Sequence, residues 1–170
     1  EHDRQVMLEK KITSLERITT VYNGTDVKLF APNNATRYAT REKLGIPSDA
    51  FVIGMVGRFT NQKRYDRFID YMALLCKKHD HVYGLLIGDG QNHDALQEQI
   101  NDTGFSDRIL ITGYVDKLNE IYWELDLSVL FTAFEGLPNV LIESAASGVP
   151  SVAEDVCGNR EIVLHGKNGY

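Results

Sequence analysis

The sequence predicts an α/β fold in which a doubly wound parallel sheet carries helices on both faces. Five apolar runs of strand length recur between residues 51 and 153, and segments with helical spacing of apolar residues lie between them. Strands of parallel sheets are apolar along their length, because crossover helices cover both faces. The composition agrees, since 43% hydrophobic and 25% charged residues are ordinary values for a folded domain.

The strands follow from the apolar runs in chain order. A weak run, ITTVY at 18–22, predicts a first strand, which the polar stretch 31–43 and the turn at 44–49 join to the main sheet. FVIGMVG then opens the main series of strands. These are predicted at 51–57, 82–88, 109–113, 127–133 and 149–153.

The helices follow from the spacing of apolar residues between the strands. In YDRFIDYMALLCKK, residues 65–78, apolar side chains recur three and four positions apart and form one stripe. Similar spacing predicts helices at 92–102, 117–125 and 138–147. Tyr122 and Trp123 are interpreted as core packing. The stripe of the first helix consists of Phe68, Ile69, Met72, Leu75 and Cys76.

Length and charge exclude several classes of protein. A chain of 170 residues is expected to form one domain, residues 1–170. The net charge of −6 argues against a nucleic-acid partner. No apolar run reaches 18 residues, so no membrane-spanning helix is expected, and the polar start EHDRQVMLEK does not resemble a signal peptide. Cys76 and Cys157 lack CxxC spacing and are expected to be reduced thiols, which favours the cytoplasm.

Ligands of open α/β sheets bind at the carboxyl ends of the strands, where loops lead into helices. Four of the five loops have a glycine close behind the strand, which lets backbone amides approach a ligand. The GDG at 88–90 lacks the third glycine of GxGxxG, so it is either a turn around a nucleotide or a plain strand-to-helix turn. The sequence has no DxD pair and no helical pair of histidines, so chemistry without a metal is expected.

Two cations follow the first main strand in the string GRFTNQKR. Arg58 comes directly after Gly57, and Lys63 lies five residues further on, near the start of a helix. The planar fork of an arginine and the compact charge of a lysine suit the oxygens of a diphosphate, so both are predicted to converge on one anion. The alternative is a solvated basic turn.

The string FEGLPNVLIESAASGVP predicts a second anion-binding element. Pro138 suits the first turn of a helix, and the amides between Gly136 and Val140 would then point out of the helix start. Such unpaired N–H groups, together with the helix dipole, attract phosphate oxygens.

Two carboxylates flank these amides. Glu135 stands just before the helix and Glu143 lies inside it, so the two could reach opposite ends of one extended ligand. Carboxylates accept hydrogen bonds without donating them, which suits sugar hydroxyls. The alternatives are a helix-capping role for Glu135 and a partly buried salt bridge for Glu143.

Together these strings resemble the C-terminal half of the family 4 retaining glycosyltransferases, nucleotide-sugar enzymes with two Rossmann-like domains in the GT-B fold. The resemblance covers nearly the whole chain. Six strings occur in the family's order: VYNGTDVKLF, GMVGRFTNQKRYDRFI, LLIGDG, ILITGYV, FEGLPNVLIESAASGVP and GNREIVLHGKNGY. The seven residues between Glu135 and Glu143 also match.

The resemblance implies a catalytic role for three residues. Arg58 and Lys63 match the family's basic pair, which neutralises the donor diphosphate and stabilises charge as the nucleoside diphosphate leaves. Glu135 matches the first glutamate of the family motif, which lies at the donor sugar. Glu143 matches the second glutamate, which holds the ribose hydroxyls.

The remaining donor contacts are implied by the same resemblance, with the turns after the second and third main strands lining the base. Arg64 departs from the pattern, because many relatives have glycine or asparagine after the lysine, and Ser144 stands where alanine is usual. Neither substitution affects a residue to which the resemblance assigns a role.

The implied donor-binding residues besides Glu143 are Gly57, Gly88, Asp89, Gly90, Tyr114, Val115, Gly136, Leu137, Pro138, Asn139 and Val140.

The function implied is donor binding for retaining transfer of a sugar from a nucleoside diphosphate, UDP- or GDP-linked, to a polysaccharide, lipid or glycoside. No metal or cofactor is expected, and the donor is a substrate. The family's N-terminal acceptor domain and final helices have no counterpart in residues 1–170, so this piece alone is expected to be inactive. The expected location is the cytoplasm, or the inner membrane face for the full-length protein. The alternatives are a sugar-nucleotide epimerase of the same fold and a non-catalytic nucleotide-binding regulator.

Overall fold

A computed structural model describes residues 2–33 and 41–170, and within them one sheet of five parallel strands forms the centre of the fold. The strand order is β3-β2-β1-β4-β5, so the connections wind outward in both directions from β1. The predicted doubly wound α/β sheet is therefore confirmed. The strands are β1 Phe51–Val56, β2 Val82–Ile87, β3 Ile109–Gly113, β4 Leu127–Leu130 and β5 Ser151–Ala153.

Seven α-helices are present in the described residues, and two short 3₁₀-helices, Leu15–Arg17 and Asn61–Lys63, accompany them. The four predicted helices are confirmed as α3 to α6, within a few residues at their ends. The other three were not predicted. The helices are α1 His2–Glu9, α2 Val27–Phe30, α3 Tyr65–Lys78, α4 His93–Thr103, α5 Leu118–Tyr122, α6 Asn139–Ala146 and α7 Asn159–Ile162.

The strand predicted at 18–22 is wrong. This segment forms no strand, and its Val21 side chain is 86% exposed. An isolated run with its apolar side chains in water gains too little from burial to join a sheet. The segment instead runs beside α1 and the loop at 136–137. Most of the connecting stretch predicted at 31–43 lies outside the described residues.

Both faces of the sheet are buried, as apolar parallel strands require. On one face Ile53 and Met55 pack with α3 and α4, and on the other Val52 and Val56 pack with α2 and α5. The α3 stripe is confirmed as the packing face, although Leu75 is only half-buried. Because α3 and α4 cover one side and α5 and α6 the other, the strand ends and their loops stay open at the carboxyl edge.

In the part of the chain that the structure describes, no helix is both long enough and apolar enough to cross a membrane. Cys76 is buried and Cys157 is half-buried, and both are free thiols.

Candidate functional site

Backbone hydrogen bonds join the loops at the carboxyl edge of the sheet. The N–H of Phe59, after β1, donates to the carbonyl of Asp89, after β2, at 2.9 Å. The N–H of Gly88 donates in turn to the carbonyl of Gly113 at 3.1 Å. A Cβ at Gly88 would lie 2.0 Å from the Gly57 carbonyl oxygen, so this glycine is needed for contact between loops. The GDG turn is thus explained by packing, and its role toward a base stays a prediction.

Lys63 and Glu135 form an ion pair across 72 residues of sequence. Lys63 Nζ lies 2.5 Å from Glu135 Oε1, and the two side chains are only 16% and 11% exposed. The hydroxyl of Thr132 lies 3.0 Å from the same carboxylate oxygen. Glu135 does not cap a helix, because α6 begins after Pro138 and has no side-chain cap. The capping alternative is therefore wrong.

Arg58 is exposed, and its side chain makes no hydrogen bond or ion pair with residues 2–33 or 41–170. The convergence of Arg58 and Lys63 on one anion stays a prediction, and in the structure Glu135 engages the lysine. A short, partly buried pair of opposite charges is more favourable than two separate charges in that environment. An incoming anion therefore meets one free guanidinium and one lysine already shared with a carboxylate.

The start of α6 offers unpaired backbone donors. Within the described chain, the N–H groups of Gly136, Leu137, Asn139 and Val140 make no hydrogen bond. Pro138 is the N-cap residue rather than part of the first turn, as its ψ of 117° shows. Such a loop leading into a helix N-terminus suits phosphate oxygens.

Asn23 holds this loop from the N-terminal segment of the chain. Its side-chain amide donates to Asn139 Oδ1 at 3.0 Å and approaches the Leu137 carbonyl at 3.4 Å. Asn23 was not predicted as a site residue. It lies in the string VYNGTDVKLF, which carries part of the family resemblance, and no spacing rule links it to a loop more than 110 residues away.

Glu143 lies on α6 beside the buried Tyr122 of α5. The Tyr122 hydroxyl lies 3.2 Å from Glu143 Oε2 and 3.0 Å from the Val140 carbonyl oxygen. Burial raises the pKa of Glu143, and the hydrogen bond from Tyr122 lowers this pKa only in part. Glu143 forms no ion pair within the described residues. Among the described residues Glu143 therefore has a tyrosine hydroxyl as its partner and no salt bridge, and Tyr122, which is buried in the core as predicted, also contacts this carboxylate.

Glu143→Gln is expected to reduce the affinity for ribonucleotides while leaving the protein at least as stable. The raised pKa means that the folded state disfavours the charged carboxylate, so stability is gained as the pH falls and lost as it rises through the folded-state pKa. Glutamine removes that cost at neutral pH. Titration with a ribonucleotide and with its 2′-deoxy analogue measures the loss of affinity, and thermal unfolding measures the stability. Tyr122→Phe is the matched variant, because it removes the hydroxyl and keeps the Glu143 carboxylate. A large loss of stability without discrimination between the nucleotides would contradict it.

Tyr114 and Val115, after β3, differ in their surroundings. The Tyr114 side chain is 78% exposed, whereas Val115 packs partly against the core beneath α5. The Tyr114 ring is therefore free to meet a ligand, and Val115 contributes mainly through its backbone and packing.

The fold and these loops define a Rossmann-like domain of the GT-B type, with polar loops and free amides at the carboxyl edge of a parallel sheet. The family model for glycosyl transferases group 1 matches residues 36–170. The chain therefore belongs to the glycosyl transferases group 1 family.

Individual relatives agree with this assignment. The chain is 31% identical to the putative glycosyltransferase EpsF of Bacillus subtilis (strain 168) over 140 residues, which are 82% of this chain and 36% of that protein. It is 25% identical over 172 residues to the UDP-Gal:alpha-D-GlcNAc-diphosphoundecaprenol alpha-1,3-galactosyltransferase of Escherichia coli, covering 99% of this chain and 44% of that one. The chain thus spans less than half the length of these curated relatives.

Solved structures show the same fold. The crystal structure of Anabaena Alr3699/HepE in complex with UDP and glucose is 27% identical and superposes with a TM-score of 0.87, covering 98% of this chain and 46% of that one. The structure of WaaG, a glycosyltransferase involved in lipopolysaccharide biosynthesis, superposes with a TM-score of 0.83 at 20% identity, which supports the fold alone.

Proposed function

We propose that this chain is the donor-binding domain of a retaining glycosyltransferase that takes a sugar from a nucleoside diphosphate. The observation that carries the proposal is the set of free N–H groups at the start of α6, which Glu135 precedes and Glu143 follows. The complex of the HepE relative with UDP and glucose supports it.

The proposed binding mode assigns each group the part of the donor that its chemistry suits. The N–H groups and Arg58 bind phosphate oxygens, and Lys63 is shared between Glu135 and the diphosphate. Glu135 Oε1 is already engaged by Lys63 and Thr132, so Oε2 accepts from a hydroxyl of the donor sugar. Glu143 accepts from the ribose hydroxyls, and its neighbour Tyr122 sets its direction. The turns at 88–90 and 114–115 line the base.

The proposed reaction breaks the bond between the anomeric carbon and the diphosphate oxygen, and the electron pair leaves with the phosphate. Arg58 and Lys63 stabilise the charge that develops there. The acceptor hydroxyl attacks from the face that the phosphate leaves, and its proton passes to a phosphate oxygen, so the anomeric configuration is kept. Glu135 positions the sugar and forms no covalent bond. This assignment needs neither a metal nor a cofactor.

The acceptor is proposed to bind to a part of the protein outside this chain, since the relatives are more than twice as long. A polysaccharide, lipid or glycoside is the proposed acceptor. A cytoplasmic location is proposed, at the inner face of the membrane when the acceptor is a lipid.

Calorimetric titration of the chain with UDP, GDP and ADP in the presence of EDTA tests donor binding. One of the three is expected to bind with a Kd between micromolar and millimolar, or roughly −8 to −4 kcal/mol. The matching nucleoside, which lacks the diphosphate, is the control and should bind more weakly. A folded chain that binds none of the three would contradict the proposal.

Turnover by the full-length protein then separates the possible activities. Sugar transfer with retained configuration supports the transferase. Release of an epimerised donor would indicate an epimerase, and binding without turnover would indicate a regulatory nucleotide-binding protein.

A further inference from the structure

Glu154 follows directly after β5, and its carboxylate holds two different loops. Glu154 Oε2 accepts a hydrogen bond from the backbone N–H of Thr132 at 3.0 Å. Glu154 Oε1 lies 3.0 Å from Arg67 Nη1 and 3.4 Å from Arg64 Nη1. The Glu154 side chain is 22% exposed, so water screens these interactions only in part. One oxygen is thus bound to the loop after β4, and the other to the start of α3.

These two segments carry the two partners of the Lys63–Glu135 ion pair. Arg64 is the residue after Lys63, and Thr132 lies three residues before Glu135. Thr132 is fully buried, donates its N–H to Glu154 and places its hydroxyl 3.0 Å from Glu135 Oε1. Movement of the Glu154 carboxylate would therefore be transmitted to both partners of the pair.

The backbone of Arg64 adopts an unusual conformation at the point where the chain enters α3. Arg64 has φ 43° and ψ 45°, the left-handed conformation, which is unfavourable for a residue with a side chain. This residue turns the chain from the 3₁₀-helix that ends at Lys63 into α3. The Arg64 guanidinium at this turn lies 3.4 Å from Glu154 Oε1, so the turn and the Glu154 carboxylate are in contact.

We infer that Glu154 is a positioning residue that holds Lys63 and Glu135 toward the diphosphate and sugar of the donor. The inference rests on the proposed function. Glu154 acts through Thr132 and Arg64 and does not itself touch the donor. Its effect is confined to the diphosphate end of the site, because Glu143 and Tyr122 at the ribose end make no hydrogen bond to this network.

The test compares diphosphate and monophosphate binding in three variants of the chain. Calorimetry is performed with UDP and UMP, or with GDP and GMP if the chain prefers guanine, on wild type, Glu154→Ala and Glu154→Gln. Glu98→Gln, an exposed position on α4, makes the same change of charge as Glu154→Gln and is the control. Thermal unfolding of each variant measures its stability.

Glu154→Ala is expected to weaken diphosphate binding roughly tenfold, since it removes hydrogen bonds to charged groups, and to leave monophosphate binding nearly unchanged. Glu154→Gln keeps an oxygen for the Thr132 N–H and should fall between Glu154→Ala and wild type. The Glu98 variant should match wild type.

Equal losses for diphosphate and monophosphate would overturn the inference, because a merely loosened fold would weaken both. Wild-type diphosphate affinity in a folded Glu154→Ala chain would also overturn it. If Glu154→Ala does not fold, the same comparison with Glu154→Gln decides. A folded wild-type chain that binds none of UDP, GDP and ADP overturns the proposed function and this inference together, so the first titration distinguishes the two failures.

Discussion

Gly158→Ala is expected to abolish measurable nucleotide binding and to lower the stability of the protein. A Cβ at position 158 would lie 1.5 Å from the carbonyl oxygen of Gly136 and 3.1 Å from Leu137 Cα. No carbon and oxygen atoms approach so closely without a bond, so the loop at 136–137 or the start of α7 must move. The free N–H groups before α6 would move with that loop. Overpacking of this kind typically costs about 1–3 kcal/mol.

Gly24→Ala is the matched control for this prediction. It also adds one methyl group, but among the described residues, its chain neighbours aside, no heavy atom lies within 4 Å of the new Cβ. Gly158 has φ −66° and ψ −19°, a conformation that alanine adopts freely, so backbone strain does not contribute to the expected loss. Titration and thermal unfolding of both variants measure the two effects. Unchanged nucleotide affinity in Gly158→Ala would show that the loop position is unimportant.

Lys63→Ala is expected to weaken diphosphate binding about 10- to 100-fold, in line with the value of hydrogen bonds to charged groups. The substitution removes a cation and also leaves the Glu135 carboxylate, which is only 11% exposed, without its charge partner. That carboxylate would then repel the diphosphate. Titration with the preferred nucleoside diphosphate gives the loss.

Two further variants separate the causes of this effect. Lys77→Ala removes an exposed lysine from the last turn of α3 and should have little effect on affinity. The double variant Lys63→Ala with Glu135→Gln should recover the part of the affinity that is lost to repulsion by the unpaired carboxylate, and not the part that the lysine's own charge supplied. Equal losses of affinity in Lys63→Ala and Lys77→Ala would refute the assignment of Lys63.

The sheet was predictable from the sequence because each strand is a short, mostly apolar run bounded by glycine or polar residues. The segment 18–22 has a similar composition, yet Val21 and Tyr22 are exposed there. Composition does not reveal whether a neighbouring strand exists to pair with. Whether a short apolar run joins the sheet is decided by tertiary packing, which a local pattern does not contain.

The candidate site was only partly predictable for a related reason. Glycine-rich turns, Pro138 and the two glutamates have local signals, and the structure places all of them at the carboxyl edge. The partners Lys63–Glu135 and Tyr122–Glu143 are 72 and 21 residues apart. Glu154 carries no local signal at all, since its role arises from the adjacency of β4 and β5. Such partners become visible only when the strand order is known.

The position of the strands in the sheet also determines how the protein can be re-engineered. The loop after central β1 is bonded to the loops on both sides, through Phe59 to Asp89 and through Gln62 to Ala133. An exchange of that loop would disturb every other part of the site. The loop after β3, at the edge of the sheet, bears the exposed Tyr114 and is joined to the rest by few bonds. If residues 114–115 line the base, as the proposed binding mode has it, grafting at 114–117 is expected to alter the choice of base and to leave diphosphate binding unchanged.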